Sequence, residues 1–196
     1  MQTNLLIKSG LFLLSFLIMQ SCITITGVTD DYNKTTENQK KIIHYFEEDV
    51  DLVDGNIYRI NAMQLKNEMA KYPKSLVYVF TNGCTASNCF PMRTYIDYAE
   101  KHDYKLFIVM NGFGNVKETL VQYAPIPYYV INSEYYGTNK REKYEVKFLS
   151  ELINKELTRK EKQELGTLFI FEGEKFIRAE RILPEDESVI KFNTLK

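Results

Sequence analysis

Residues 75–93, SLVYVFTNGCTASNCFPMR, decide the architecture. The run from Leu76 to Phe80 is apolar and rich in β-formers, Thr81-Asn82-Gly83 is turn chemistry, and Met92, Tyr95, Ile96 and Ala99 recur at helical spacing. A strand therefore delivers Cys84 into a turn that opens a helix, with Cys89 five positions later. Cys84 is expected near the helix amino terminus, where free backbone N–H groups and the helix dipole favour a thiolate and pull its pKa down from about 8.5. Cysteines five apart on regular helix point ~140° away from each other, so a bridge requires Cys84 to lie in the turn or the first helical turn to unwind. Pro91 fits a first-turn position, which starts regular helix around Phe90 or Pro91 and leaves 85–88 as a loop free to close a small ring.

Working outward, residues 104–110 (YKLFIVM) form a continuous apolar run of strand length, as in a sheet covered on both faces, and are placed beside 76–80 at its centre. Residues 57–60 are a short strand after the Asp54-Gly55 turn, and Asn61 caps a helix running to about Lys71. A short helix over 116–123 and a strand over 128–132 follow. Apolar positions Tyr144, Phe148, Leu149, Leu152, Ile153 and Leu157 fall on one stripe and predict a single long helix over 140–164. Residues 167–171 and 175–181 around Glu172-Gly173-Glu174 read as a hairpin. Nearer the start, Ile42, Ile43 and Phe46 predict a helix over 38–50, and the Thr-, Asp- and Asn-rich residues 23–37 read as a flexible tether. Strand and helix alternating before a hairpin imply an α/β fold: a mixed β-sheet flanked by helices, with a helical insertion before the C-terminal hairpin.

The chain of 196 residues carries a net charge of −1, which offers no basic patch and argues against nucleic acid as a partner and against electrostatic membrane binding beyond a lipid anchor. Its 14 tyrosines and absent tryptophan place Tyr128-Tyr129 and Tyr135-Tyr136 in strand and loop packing, with a groove as the alternative. His44 and His102 lack ligand spacing and read as surface helix residues, so no metal site and no cofactor are expected.

Residues 1–22 combine Lys8, an apolar run from Gly10 to Met19, and Ser21 directly before Cys22, and resemble a bacterial lipoprotein signal peptide. The resemblance implies cleavage at Cys22, its lipidation with acyl chains such as palmitate, and a membrane-anchored position in the cell envelope. The domain then spans 38–196. With Cys22 acylated, Cys84 and Cys89 remain as one candidate pair in a compartment that permits disulfides.

The element order, with cysteines at the end of the second strand, resembles the thioredoxin-like superfamily over about residues 57–183. The spacing here is C-x4-C where that superfamily carries C-x-x-C. The resemblance implies thiol-disulfide exchange on envelope proteins bearing thiols or disulfides, with Cys84 attacking and Cys89 resolving. It also implies a substrate groove opposite the cysteines, at Gly166-Thr167 before the hairpin or at Pro127, where family members place a cis-proline. Thr81-Asn82-Gly83-Cys84-Thr85 followed by Cys89 is similar to the T-x-G-C-T-x-x-x-C segment of the bacterioferritin-comigratory type of peroxiredoxin, which would make Thr81 the residue that orients a peroxide. A third reading is a non-catalytic module in which the disulfide is structural and a peptide or protein ligand binds around 81–88 and Pro127.

Overall fold

In the cysteine strand, Leu76, Tyr78 and Phe80 pack into one apolar layer while Val77 and Val79 pack into another, so every position from Ser75 to Phe80 is buried. Period-two alternation between two covered faces is the physical origin of the unbroken apolar run. The structure, a computed structural model, describes residues 27–86 and 89–184. The expected signal peptide and Cys22 lie outside the described residues.

Seven strands form one sheet: β1 (Ile43–Tyr45), β2 (Ile57–Ile60), β3 (Lys74–Phe80), β4 (Lys105–Met110), β5 (Tyr128–Ile131), β6 (Leu168–Glu172) and β7 (Lys175–Glu180). Their order is β1-β2-β5-β4-β3-β6-β7. The first five pair in parallel, whereas β6 runs antiparallel to β3 and to β7. Strands β3 and β4 are adjacent, in the register Phe80 to Met110. The mixed sheet flanked by helices, with the cysteine strand between a parallel neighbour and an antiparallel hairpin, is consistent with a thioredoxin-like α/β fold. Strand β5 lies between β4 and β2, so the strand that precedes β3 in sequence is separated from it by β5 and β4.

Helices cover both faces: α1 (Glu37–Lys40), α2 (Ala62–Met69), α3 (Met92–Lys101), α4 (Val116–Leu120), α5 (Arg141–Leu152) and α6 (Arg159–Leu165). Helices α2 and α5 bury Leu65, Met69, Tyr144, Phe148 and Leu152 against Val77, Val79, Phe107 and Tyr129. On the other face α3 and α4 bury Met92, Tyr95, Ile96 and Val116 against Tyr78, Phe80, Ile108 and Met110. Asn61 caps α2 as its sequence predicts, accepting the Gln64 N–H at 2.9 Å. Tyr128 and Tyr129 are buried strand residues, and the Tyr136 hydroxyl is held between Ala62 N–H and Glu151, so three of the four paired tyrosines are packing residues.

Three expected elements differ. The helix over 38–50 is a single turn, α1, followed by strand β1, which carries His44. Ile43 and Phe46 are three apart, a spacing shared by one helix face and by opposite faces of a strand; here Ile43 packs on the α3 side of the sheet and Phe46 on the α2 side. The long helix over 140–164 is two helices. Asn154 takes a left-handed φ of 54° after α5, the Ser150 hydroxyl accepts the Leu157 N–H, and Thr158 with Glu161 forms a capping box that starts α6. Ile153 and Leu157 are buried in the break, which kept the apolar stripe continuous in sequence.

The tether assigned to 23–37 is docked on the body from Gly27 onward. Asp31 is 1 % exposed, and its carboxylate accepts from Gly27 N–H, the Thr29 hydroxyl and Lys34. Burial alone would raise its pKa, but the Lys34, Gly27 and Thr29 hydrogen bonds outweigh it and hold the carboxyl below its ordinary 3.8. Asp30 accepts from Ser133 Oγ at 2.6 Å, and its carbonyl accepts the Phe113 N–H. Polar composition marked these residues as spacer because the interactions that order them are hydrogen bonds rather than apolar contacts.

Candidate functional site

Strand β3 ends at Phe80, and the next two residues are held by hydrogen bonds to Asn111 and Gly112 just after β4 and to Thr119 on α4. Asn82 is 2 % exposed: its Nδ2 donates to Gly112 O at 2.7 Å and its Oδ1 accepts from Thr119 Oγ1 at 2.5 Å. Gly83 then turns with φ 68°, a conformation natural to glycine, and a Cβ there would press to 3.3 Å from Asn115. This anchor presents Cys84 at the surface, at the carboxyl end of the sheet's central parallel strands.

Cys84 is exposed, Cys89 is half-buried, and the two form a disulfide with their Cα atoms 6.0 Å apart. The ring lies ahead of the helix, as the geometry of two cysteines five apart demands. Helix α3 begins at Met92 with Pro91 as its cap residue, one place later than the first-turn position expected for Pro91. The start lies three residues past Cys89 and eight past Cys84. Cys89 is therefore the cysteine next to the helix, and the expected placement of Cys84 at its amino terminus is not met. The Met92 N–H, a first-turn donor, is moreover taken by Gln122 Oε1 at 3.1 Å.

Thr81 is exposed, and its Oγ1 accepts from Asn111 Nδ2 at 2.7 Å. It shares a cleft of about 400 Å³ with Gly166 and Thr167, between the carboxyl end of β3 and helices α5 and α6. The Lys162–Glu145 ion pair, 2.8 Å, stands in that cleft, as does Asn111, whose Oδ1 is buried without a hydrogen-bond partner. Neither cysteine lines the cleft. Thr167 is tied into the sheet, its carbonyl accepting the Val79 N–H at 2.8 Å. Gly166 has φ 92°, and a Cβ on it would lie 2.4 Å from Glu180 O, so the hairpin passes too close for any side chain.

Pro127 belongs elsewhere. It precedes Tyr128, which pairs with Ile108 and through it with Tyr78, so Pro127 lies level with Val77, three residues before the end of β3. No cis peptide bond occurs among the described residues. Of the residues singled out from sequence, Cys84 and Cys89 are joined and Thr81, Gly166 and Thr167 meet in one cleft, while Pro127 stands apart. The residue sequence reasoning missed is Asn82: in Thr81-Asn82-Gly83 it reads as turn chemistry, and its partners Gly112 and Thr119 lie 30 and 37 positions away.

Among the described residues no group of three or more His, Cys, Asp or Glu side chains is placed to hold a metal ion. No protein-family model, curated protein or solved structure matches the chain.

Proposed function

We propose that this chain is a lipid-anchored protein of the bacterial envelope that exchanges thiols and disulfides through Cys84 and Cys89. The observation that carries the reading is an exposed Cys84 paired with a less exposed Cys89 in a loop held at the carboxyl end of a central strand. Exposure makes Cys84 the entering thiol. In the reduced protein its thiolate attacks a substrate disulfide, forming a mixed disulfide and releasing one substrate thiolate. Cys89 then attacks the Cys84 sulfur, closing the Cys84–Cys89 bond and releasing the second substrate thiol. Two electrons pass from the protein to the substrate, and the reverse sequence oxidises a substrate dithiol.

The test is trapping. Cys89→Ser should accumulate mixed disulfides through Cys84, whereas Cys84→Ser should accumulate few, and Cys84 should alkylate faster than Cys89 in the reduced wild type at pH 7. Slow alkylation of both thiols, with no partner captured by either variant, would overturn the reading. A second reading, a non-catalytic binding module whose disulfide only closes the loop, draws support from the helix that starts eight residues past Cys84 and lends that thiol little dipole stabilisation. Peroxidase activity, the third possibility, would give rapid sulfenic acid formation at Cys84 under low peroxide, suppressed by Thr81→Val. The anchor is tested separately: intact mass should show acyl chains on Cys22, and Cys22→Ser should leave the membrane fraction.

A further inference from the structure

The docked segment that begins at Gly27 sets how far the folded body can stand from a lipidated Cys22. Gly27 N–H donates to Asp31 at 2.7 Å, Val28 O accepts the Arg141 N–H at 3.0 Å, and Thr29 bridges to Lys140. Five Cα steps separate Cys22 from Gly27, a reach of at most about 18 Å when fully extended. An anchor at Cys22 would therefore keep the start of α5 within about 18 Å of the bilayer surface.

The surface at that point is basic, although the chain as a whole is near neutral. A cleft of about 540 Å³ opens between Gly27-Val28, the start of α5 and the start of α6. Lys140 and Lys143 are exposed on it and pair with no carboxylate among the described residues. Arg141 also lines it, but its guanidinium is engaged: one nitrogen lies 3.9 Å from the buried Asp31 carboxylate, and only its buried Nε–H lacks a hydrogen-bond acceptor. The two carboxylates of the cleft are already engaged, Glu142 by Arg159 and Glu145 by Lys162. Val28, 62 % exposed, adds an apolar residue beside these cations. The local excess of positive charge was invisible in the net balance because that balance sums over the whole chain.

We infer that this face, centred on the exposed Lys140 and Lys143, rests on an anionic phospholipid surface, with lipid phosphates drawn to the mouth of the cleft. The inference rests on the reading of Cys22 as the anchor. Each cation close to an anionic leaflet strengthens attachment roughly fivefold, and the attraction fades within a Debye length. A tether of at most about 18 Å keeps the cations within about two Debye lengths of the leaflet, and their attraction to it draws them closer.

The test uses the full mature protein, extracted with its acyl chains and placed in nanodiscs of neutral phosphatidylcholine or of a 70:30 mixture with anionic phosphatidylglycerol. Lysine acetylation is followed by mass spectrometry. Lys140 and Lys143 should react at least fivefold more slowly in the anionic discs, with Lys117 and Lys175 unchanged, and the protection should vanish at high salt. In the Lys140→Glu/Lys143→Glu double variant, amide exchange across 28–31 should no longer depend on the anionic lipid. Equal lysine reactivity in both discs, with acyl chains present by intact mass, would overturn the lipid-facing surface and leave the anchor standing. A chain carrying no acyl group would overturn both. Protection by inorganic phosphate alone in neutral discs, with none added by the anionic lipid, would assign the cleft to a free anion and refute the proposal.

Discussion

Replacing Asn82 with alanine tests whether the cysteine loop is positioned by side-chain hydrogen bonds rather than by the disulfide alone. The substitution removes two buried hydrogen bonds, to Gly112 O at 2.7 Å and from Thr119 Oγ1 at 2.5 Å. It leaves a carbonyl and a hydroxyl behind, both on buried residues and so without water to replace Asn82. A stranded buried partner costs about 1–3 kcal/mol, so Asn82→Ala should lose roughly 2–5 kcal/mol, a large part of a domain's ~5–15 kcal/mol. Thr119→Val breaks only the second bond, strands one buried acceptor, Asn82 Oδ1, and should cost about 1–3 kcal/mol. The double variant should fall short of the sum, because the two residues share that bond. Urea denaturation, with the disulfide intact and again after reduction, measures all of these. If Asn82→Ala costs less than ~0.5 kcal/mol in the oxidised protein, the disulfide alone fixes the turn and the anchoring argument fails.

Other consequences are open to measurement. Ile108→Asp buries an unpaired carboxylate at a fully buried position of a central strand and should unfold the domain, whereas Lys160→Asp on exposed α6 should shift the urea midpoint by ~0.5 kcal/mol or less; similar losses would mean that β4 is misplaced. Gly166→Ala forces a Cβ to 2.4 Å from Glu180 O at a φ of 92°, so a melting temperature within a degree of wild type would contradict the close approach of the hairpin. Asp31 has its pKa lowered in the fold, so its ionised form stabilises the protein at pH values above the ordinary 3.8, and that contribution is lost as pH falls through the folded value. The stability gap between wild type and Asp31→Asn should accordingly be full near neutrality and close in strong acid, and a gap independent of pH would remove the carboxylate from the account.

The parts of the fold that were legible in sequence are those in which burial is written as apolar residues. Leu76 to Phe80, Leu106 to Met110 and the hairpin strands each show their faces directly, and the positions of Cys84 and Cys89 ahead of the helix followed from helical angles. What was not legible depends on partners distant in sequence. β1 exists because it pairs with β2, although its own three residues carry no strand signal stronger than a helical one. The docking of 27–36 depends on Asp30 and Asp31 meeting Ser133, Phe113 and Lys34, contacts that composition describes only as polarity. The break between α5 and α6 was available locally, in Thr158 followed three residues later by Glu161, and was overridden by the continuing apolar stripe. At the site, the thioredoxin-like resemblance pointed to Gly166 and Thr167 opposite the cysteines, whereas they meet Thr81 in a cleft that neither cysteine lines, and Pro127 could not be excluded until the register showed it level with Val77.

The insertion of β5 between β4 and β2 has a kinetic consequence. The hairpin β6–β7 closes across a tight turn at Gly173, and β3 reaches β4 through one helix, so both pairings form from segments close along the chain. Strand β2 must instead wait for β5, about seventy residues downstream. Closing a loop of that length costs roughly 4 kcal/mol of chain entropy before any contact repays it. The hairpin meets β3 across about ninety residues, a closure of similar cost, so folding should begin around β3 and β4, with the hairpin and β1–β2 docking afterwards on opposite sides of them. Amide protons on β1 and β2 should then exchange ahead of those on β3 and β4, and the cysteines would be brought into position for pairing before the amino-terminal third of the domain has found its place.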